Sequence, residues 1–146
     1  VNADPSAPVF SEGSIAVEAS PEQVWDVLAD LESWPEWNVD VVSVTLMGPV
    51  APGTVFRWKA GSARLVSTLR EVERPDRLSW TGRTMGIDAI HDWRFERSAA
   101  GTTVRMQESF SGPVARLLRR KLQRDLDRTT EKGLAALKAA AEARSA

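Results

Sequence analysis

IDAIHDWRFERSAAGTTVRMQESF, residues 87–110, reads as two β-strands joined by a tight turn. In its first half Ile87, Ala89, His91, Trp93 and Phe95 share one parity, and Asp88, Asp92, Arg94 and Glu96 share the other. In its second half Val104, Met106, Glu108 and Phe110 alternate with Thr103, Arg105, Gln107 and Ser109. Residues two apart line one face of a strand, so each half has an apolar inner face, and each inner face carries one titratable residue. With the turn at 98–101, Arg97 pairs with Thr102, and the same register sets His91 opposite Glu108, Trp93 opposite Met106 and Phe95 opposite Val104. Opposed side chains have Cβ atoms roughly 4.5–5.5 Å apart, so the only histidine of the chain is predicted to reach a carboxylate.

The same period extends upstream. Runs at 39–47, 54–59, 63–73 and 77–84 are alternating or β-branched and are separated by Gly48-Pro49, Pro52-Gly53, Gly61-Ser62, Pro75-Asp76 and Gly86. With 87–97 and 102–110 they make six strands, and connections this short favour antiparallel neighbours in a meander. A seventh strand is expected over 9–18, behind a polar, Pro-containing arm at residues 1–8. Between the first strand and the meander, Ser20-Pro21-Glu22-Gln23 combines an N-cap serine, proline at the first helical position and glutamine at the third. Val24, Trp25, Leu28 and Leu31 follow at helical spacing until Pro35 stops or kinks the pattern.

Downstream, Gly112-Pro113 opens a long helix in which Val114, Leu118, Leu122, Leu126, Thr129, Gly133, Leu137 and Ala140 form one stripe. About 30 residues at 1.5 Å each is on the order of 45 Å, enough to cross the whole sheet. Gly133 on that stripe is unfavourable for a helix, and a close approach to the sheet would compensate. The predicted class is α+β: a strand, short helices, six antiparallel strands and a long amphipathic helix. A strongly twisted seven-stranded sheet curls, and one helix covers only part of its concave face, which leaves room for a cavity.

Composition narrows the chemistry. The 146 residues suit one domain over 9–146, and 42% hydrophobic with 27% charged residues is ordinary globular composition, without a bilayer-spanning run. The net charge of −1 supplies no global field for nucleic acid or anionic lipid. The absence of cysteine removes disulfides, thiol nucleophiles and thiolate metal sites, and one histidine cannot build a multi-histidine metal centre. No metal and no cofactor are expected. No G-x-S-x-G elbow, dinucleotide fingerprint or phosphate loop occurs. VNADPSAPV lacks the basic and apolar regions of a signal peptide, so a cytoplasmic protein is expected. Arg116, Arg119, Arg120, Lys121 and Arg124 read as a solvated helix face, with Lys121 pairing Asp125 and Arg124 pairing Asp127. Arg64 and Arg70 are placed on an outer face.

The segments ASPEQVWDVLADLESWPEWN, PVAPGTVFRW, IHDWRFE and GTTVRMQESFSG, followed by a long C-terminal helix, resemble the START/Bet v 1-like (SRPBCC) superfamily, and within it the bacterial polyketide cyclase/dehydrase-like branch. The resemblance covers roughly residues 9–142. It implies a helix-grip fold, a curved antiparallel sheet around the C-terminal helix with a hydrophobic ligand cavity between them. Family roles include lipid and sterol carriage, quinone binding, polyketide cyclisation and chaperone co-activation. The chain departs from many relatives at Val39, where they carry proline.

Three readings follow. The leading one is binding of a hydrophobic small molecule, aromatic, polyketide-like or lipid, without nucleic-acid partners or stable membrane insertion. The second is a cofactor-independent cyclase, aromatase or dehydratase in which His91 and Glu108 are the catalytic pair, since a carboxylate beside an imidazole suits proton transfer in an apolar cavity. The third is a protein-interaction module. The residues expected to contact the ligand are Trp37 after the Pro35 kink, Phe56, Trp58, Trp80 and Met85 on the sheet side, Trp93 and Met106 beside the pair, and Leu118 and Leu122 on the helix. Trp25 is expected in the core, and Trp34 and Trp37 as a lid at the cavity mouth or a surface staple.

Overall fold

A computed structural model describes residues 1–146. Strand β1 (Val9–Val17) leads into helix α1 (Pro21–Ala29), a 3-10 turn (Leu31–Ser33) and the short α2 (Trp34–Trp37). The meander follows as β2 (Val41–Leu46), β3 (Val55–Ala60), β4 (Ala63–Glu73), β5 (Arg77–Thr84), β6 (Ile87–Ser98) and β7 (Gly101–Ser111), before α3 (Pro113–Leu117) and α4 (Arg119–Ser145). The seven strands form one antiparallel sheet in the order β1-β7-β6-β5-β4-β3-β2. Register shifts in β2 and β4 mark irregularities that add bend to the sheet. The result is the helix-grip α+β fold that the sequence implies.

Local chemistry accounts for the start of α1. The Ser20 hydroxyl accepts from the Gln23 N–H and the Gln23 side chain accepts from the Ser20 N–H, a complete capping box behind Pro21. Trp25 then reaches across and donates its indole N–H to the Arg77 carbonyl at 3.0 Å, fixing α1 to the beginning of β5.

The C-terminal helix differs from its expected form in three respects. It breaks at Leu118 (φ −103°, ψ 21°), so the stripe does not run through its first turns, and Leu117 and Leu118 face solvent. Beyond the break the apolar side splits into two faces. Leu134, Leu137 and Ala141 join the core cluster, while Leu122, Leu126, Thr129 and Gly133 look onto the cavity. The close approach belongs to Gly13 of β1 rather than to Gly133: a Cβ on Gly13 would lie 2.9 Å from Leu134 Cδ1, whereas one on Gly133 would meet nothing within 4 Å. Gly133 opens space instead of closing it.

α4 also protects the β1 edge. The Gln123 side chain accepts from Phe10 N at 3.0 Å and donates to the Phe10 carbonyl, and Lys138 donates to the Ala16 carbonyl at 3.0 Å. These bonds occupy backbone groups that an edge strand would otherwise present to another chain.

Residues 1–8 are more than a loose arm. They lie against the outer face of the sheet, where Asp4 N donates to Ser109 Oγ at 3.0 Å and Asn2 Oδ1 accepts from Arg77 and Arg94. Both arginines bond Asp92, at 2.9 and 3.1 Å, which buries this outward-facing carboxylate almost completely. The Asp92 carboxylate, as hydrogen-bond acceptor, raises the Arg77 pKa above its ordinary value.

Candidate functional site

Between the concave face of the sheet and α4 lies a cavity of about 300 Å³, lined by 25 residues of which 17 are hydrophobic. β5, β6 and β7 supply its wall. Their inward parity holds as the alternation predicts: Ile87, Ala89, His91 and Trp93 from β6, Met106, Glu108 and Phe110 from β7, Trp80 and Thr84 from β5. Trp58 and Leu65, paired across β3 and β4, continue the wall toward the β3–β4 turn. Trp37, Asn38 and Asp40 close one side, and Leu122, Asp125 and Thr129 of α4 the other.

His91 and Glu108 are directly opposed across β6 and β7, as their register requires, and Trp93–Met106 and Phe95–Val104 pair likewise. His91 Nδ1 lies 2.8 Å from Glu108 Oε1, with the residues only 7% and 5% exposed. The imidazole also stacks on Trp80, its partner on β5, with centroids 5.0 Å apart and planes 20° from parallel. Trp58 meets it edge-on at 6.1 Å. The ring is therefore held on three sides, and Nε2 is the nitrogen that Glu108 does not engage.

The six tryptophans fall into two groups of three. Trp25, Trp34 and Trp58 donate their indole N–H groups to the Arg77 carbonyl, the Leu28 carbonyl and Ser67 Oγ, at 3.0, 2.8 and 3.0 Å. Trp37, Trp80 and Trp93 have buried indole nitrogens with no acceptor in the protein, and all three line the cavity. Thr84 Oγ1 shares both properties. An unmet buried donor costs about 1–3 kcal/mol, so this clustering around one apolar space calls for a physical explanation.

Of the residues expected to contact a ligand, Trp37, Trp58, Trp80, Met85, Trp93, Met106 and Leu122 line the cavity. Two do not. Phe56 is fully buried and outside the lining, because Trp34 and Trp80 pack edge-on against it. Leu118 is 44% exposed, because the helix break turns it outward. Trp34 is no lid. It is buried at the centre of the aromatic cluster, 5.2 Å from Trp80 and 5.5 Å from Trp58, and touches the cavity from within. Arg64 and Arg70 are exposed on the outer face, Arg70 donating to Thr81 Oγ1 at 2.9 Å.

Sequence reasoning missed Thr84, Gly133 and Asp125. Thr84 could have been found, since it shares the parity of Trp80 at the end of the same strand. Gly133 lies on the stripe with Leu122, Leu126 and Thr129, which pointed toward the sheet, whereas Asp125 depends on the rotation of α4 after its break, for which the sequence carries no signal.

Relatives and solved structures agree with this architecture. An uncharacterized protein of Mycobacterium tuberculosis, Rv2574, is 33% identical over 61 residues, covering 42% of this chain and 33% of its own. The match thus spans one third of that relative's length. The hypothetical protein jhp0584 from Helicobacter pylori superposes with a TM-score of 0.84 at 18% identity, over 94% of this chain and 90% of its own. The Zhui aromatase/cyclase from a Streptomyces species gives 0.82 at 18% identity, over 94% and 95%. At these identities the structures speak for the fold. Residues 10–142 match the family described as polyketide cyclase/dehydrase and lipid transport, and the chain belongs to that family.

Proposed function

We propose that the protein binds a flat, largely apolar small molecule bearing acceptor oxygens, such as a polycyclic aromatic ketone or quinone, between the sheet and α4. The observation that carries this reading is the aromatic lining: five of the six tryptophans border the cavity, and three of those five, Trp37, Trp80 and Trp93, have indole N–H groups without an acceptor in the protein. These indole nitrogens and Thr84 Oγ1 are covered by their neighbours, so a ligand carbonyl would supply the missing partner after a small side-chain turn toward the cavity, which a saturated acyl chain would not. Size is consistent. An apolar cavity of ~150 Å³ accepts one benzene ring, so about 300 Å³ suits two or three fused rings. The presence of an open cavity favours small-molecule binding over a role as an interaction module alone.

The test compares anthraquinone with anthracene by quenching of tryptophan fluorescence, since the two differ by a pair of carbonyl oxygens. Anthraquinone is expected to bind about 5- to 30-fold more tightly, the worth of one or two hydrogen bonds at ~1 kcal/mol each. Equal affinity, or no binding of either, contradicts the reading.

A second reading, cofactor-independent cyclisation or dehydration, is favoured by one observation, the buried 2.8 Å contact of His91 with Glu108 inside the same cavity. In it, His91 Nε2 takes a proton from the carbon between two ketones, and the resulting enolate carbon attacks a further carbonyl of the same chain. His91 then returns the proton to the new alkoxide, Glu108 orients the imidazole, and the tryptophans hold the chain folded. His91→Ala is expected to abolish turnover of a poly-β-ketone analogue while leaving affinity within a few-fold. Unchanged turnover rules this role out.

A further inference from the structure

The basic run at the start of α4 is more than a solvated helix face. Arg116, Arg119, Arg120, Lys121 and Arg124 fall within nine residues, and no acid lies between Glu108 and Asp125. Lys121 pairs with Asp125 at 3.2 Å, but the pair expected between Arg124 and Asp127 does not form, because Asp127 accepts from Gln123 instead. The four arginines have no acidic partner within ion-pair distance.

Apolar side chains protrude among these cations. Leu117 is 82% exposed, Leu118 flanks it at the helix break, and Met85 at the β5–β6 turn is 74% exposed. That turn leans on α3: a Cβ on Gly86 would lie 3.1 Å from Val114 Cγ2. Met85 is also the only non-glycine residue with positive φ, 48°, a conformation that asparagine or glycine adopts more readily. A long apolar side chain is thus displayed at a strained position beside two exposed leucines. Met85 and Leu122 line the cavity as well, so this surface is continuous with the cavity rim.

We propose that this end of the molecule docks peripherally on an anionic lipid bilayer, with Met85, Leu117 and Leu118 entering the interface and the five cations meeting lipid phosphates. The charge matches such a partner. The apolar residues protrude from two places, the β5–β6 turn and the α3–α4 break, and line no groove, which suits a fluid interface, and long arginines can reach headgroups while their stems stay apolar. No helix is long and apolar enough to cross a membrane, so the contact is with the surface. Docking would place the rim of the cavity at the lipid phase, from which an apolar ligand could enter. The proposal is independent of what the cavity holds, because vesicle binding requires no ligand.

Co-sedimentation of the whole chain with phosphatidylcholine vesicles, with and without phosphatidylglycerol, tests it. Binding is expected only to the anionic vesicles, and added salt should weaken it. Arg119→Ala with Arg120→Ala should lower vesicle affinity roughly thirtyfold, each cation near an anionic surface being worth about a factor of five. Leu117→Ser should lower it several-fold while leaving the thermal midpoint unchanged. Absence of binding to anionic vesicles overturns the proposal. So does binding that Leu117→Ser leaves intact and that soluble polyglutamate competes away, since that would identify a general polyanion surface of the kind an acidic protein would use.

Discussion

Gly82 shows how a single residue sets the geometry of the site. A Cβ at this position would stand 2.4 Å from Ser67 Oγ, the acceptor that anchors the Trp58 indole. Gly82→Ala must displace Ser67 and free Trp58, which in turn frees one side of His91. We expect a loss of about 1–3 kcal/mol in urea denaturation, from strain and a lost buried acceptor, together with weaker ligand binding. On the other face of the same sheet, Asp92→Asn keeps the shape but removes the charge that Arg77 and Arg94 share. Its expected cost is about 1–3 kcal/mol, below that of a fully buried pair because both arginines retain solvent. Unchanged denaturation midpoints in either variant would show that these contacts do not contribute to stability.

At the scale of elements, α4 combines stability and function at separate faces. Gly133 meets nothing on its Cβ side and borders the cavity. Gly133→Ala is therefore expected to stabilise the helix by about 1 kcal/mol while weakening binding of a ligand that fills the cavity. A stabilised protein with undiminished affinity would mean the ligand does not reach this part of α4. The link between α1 and the β4–β5 loop is electrostatic. Arg74, as hydrogen-bond donor, holds the Asp26 carboxyl below its ordinary value of 3.8. A lowered folded-state value means that the contribution is present above the unfolded value and is lost as pH falls through the folded one. Asp26→Asn should accordingly lower the thermal midpoint slightly at neutral pH, with the difference from the parent vanishing in strong acid. A difference that persists in strong acid would refute the ion-pair origin.

Over the whole molecule, the sheet and the His91–Glu108 pair were legible because alternation and short turns define parity and register with few alternatives. The capping box made the start of α1 equally plain. What the sequence left hidden was rotational or spatial. The break at Leu118 leaves the apolar period almost intact yet turns Leu118 out of the cavity, and Phe56 is covered by Trp34 and Trp80, which its parity alone does not reveal. The docking of Asn2 and Asp4 on the outer face likewise depends on long-range partners, Arg77, Arg94 and Ser109, that local patterns do not connect. The central claim, that the unpaired indoles receive a ligand oxygen, concerns six signals that one experiment can separate. In a ¹H–¹⁵N spectrum of the assigned indole N–H groups, saturating anthraquinone should shift Trp37, Trp80 and Trp93 and leave Trp25, which does not border the cavity and donates to the Arg77 carbonyl, in place. Shifts confined to the anchored tryptophans, or bound ligand with no change at the unpaired three, would contradict the account.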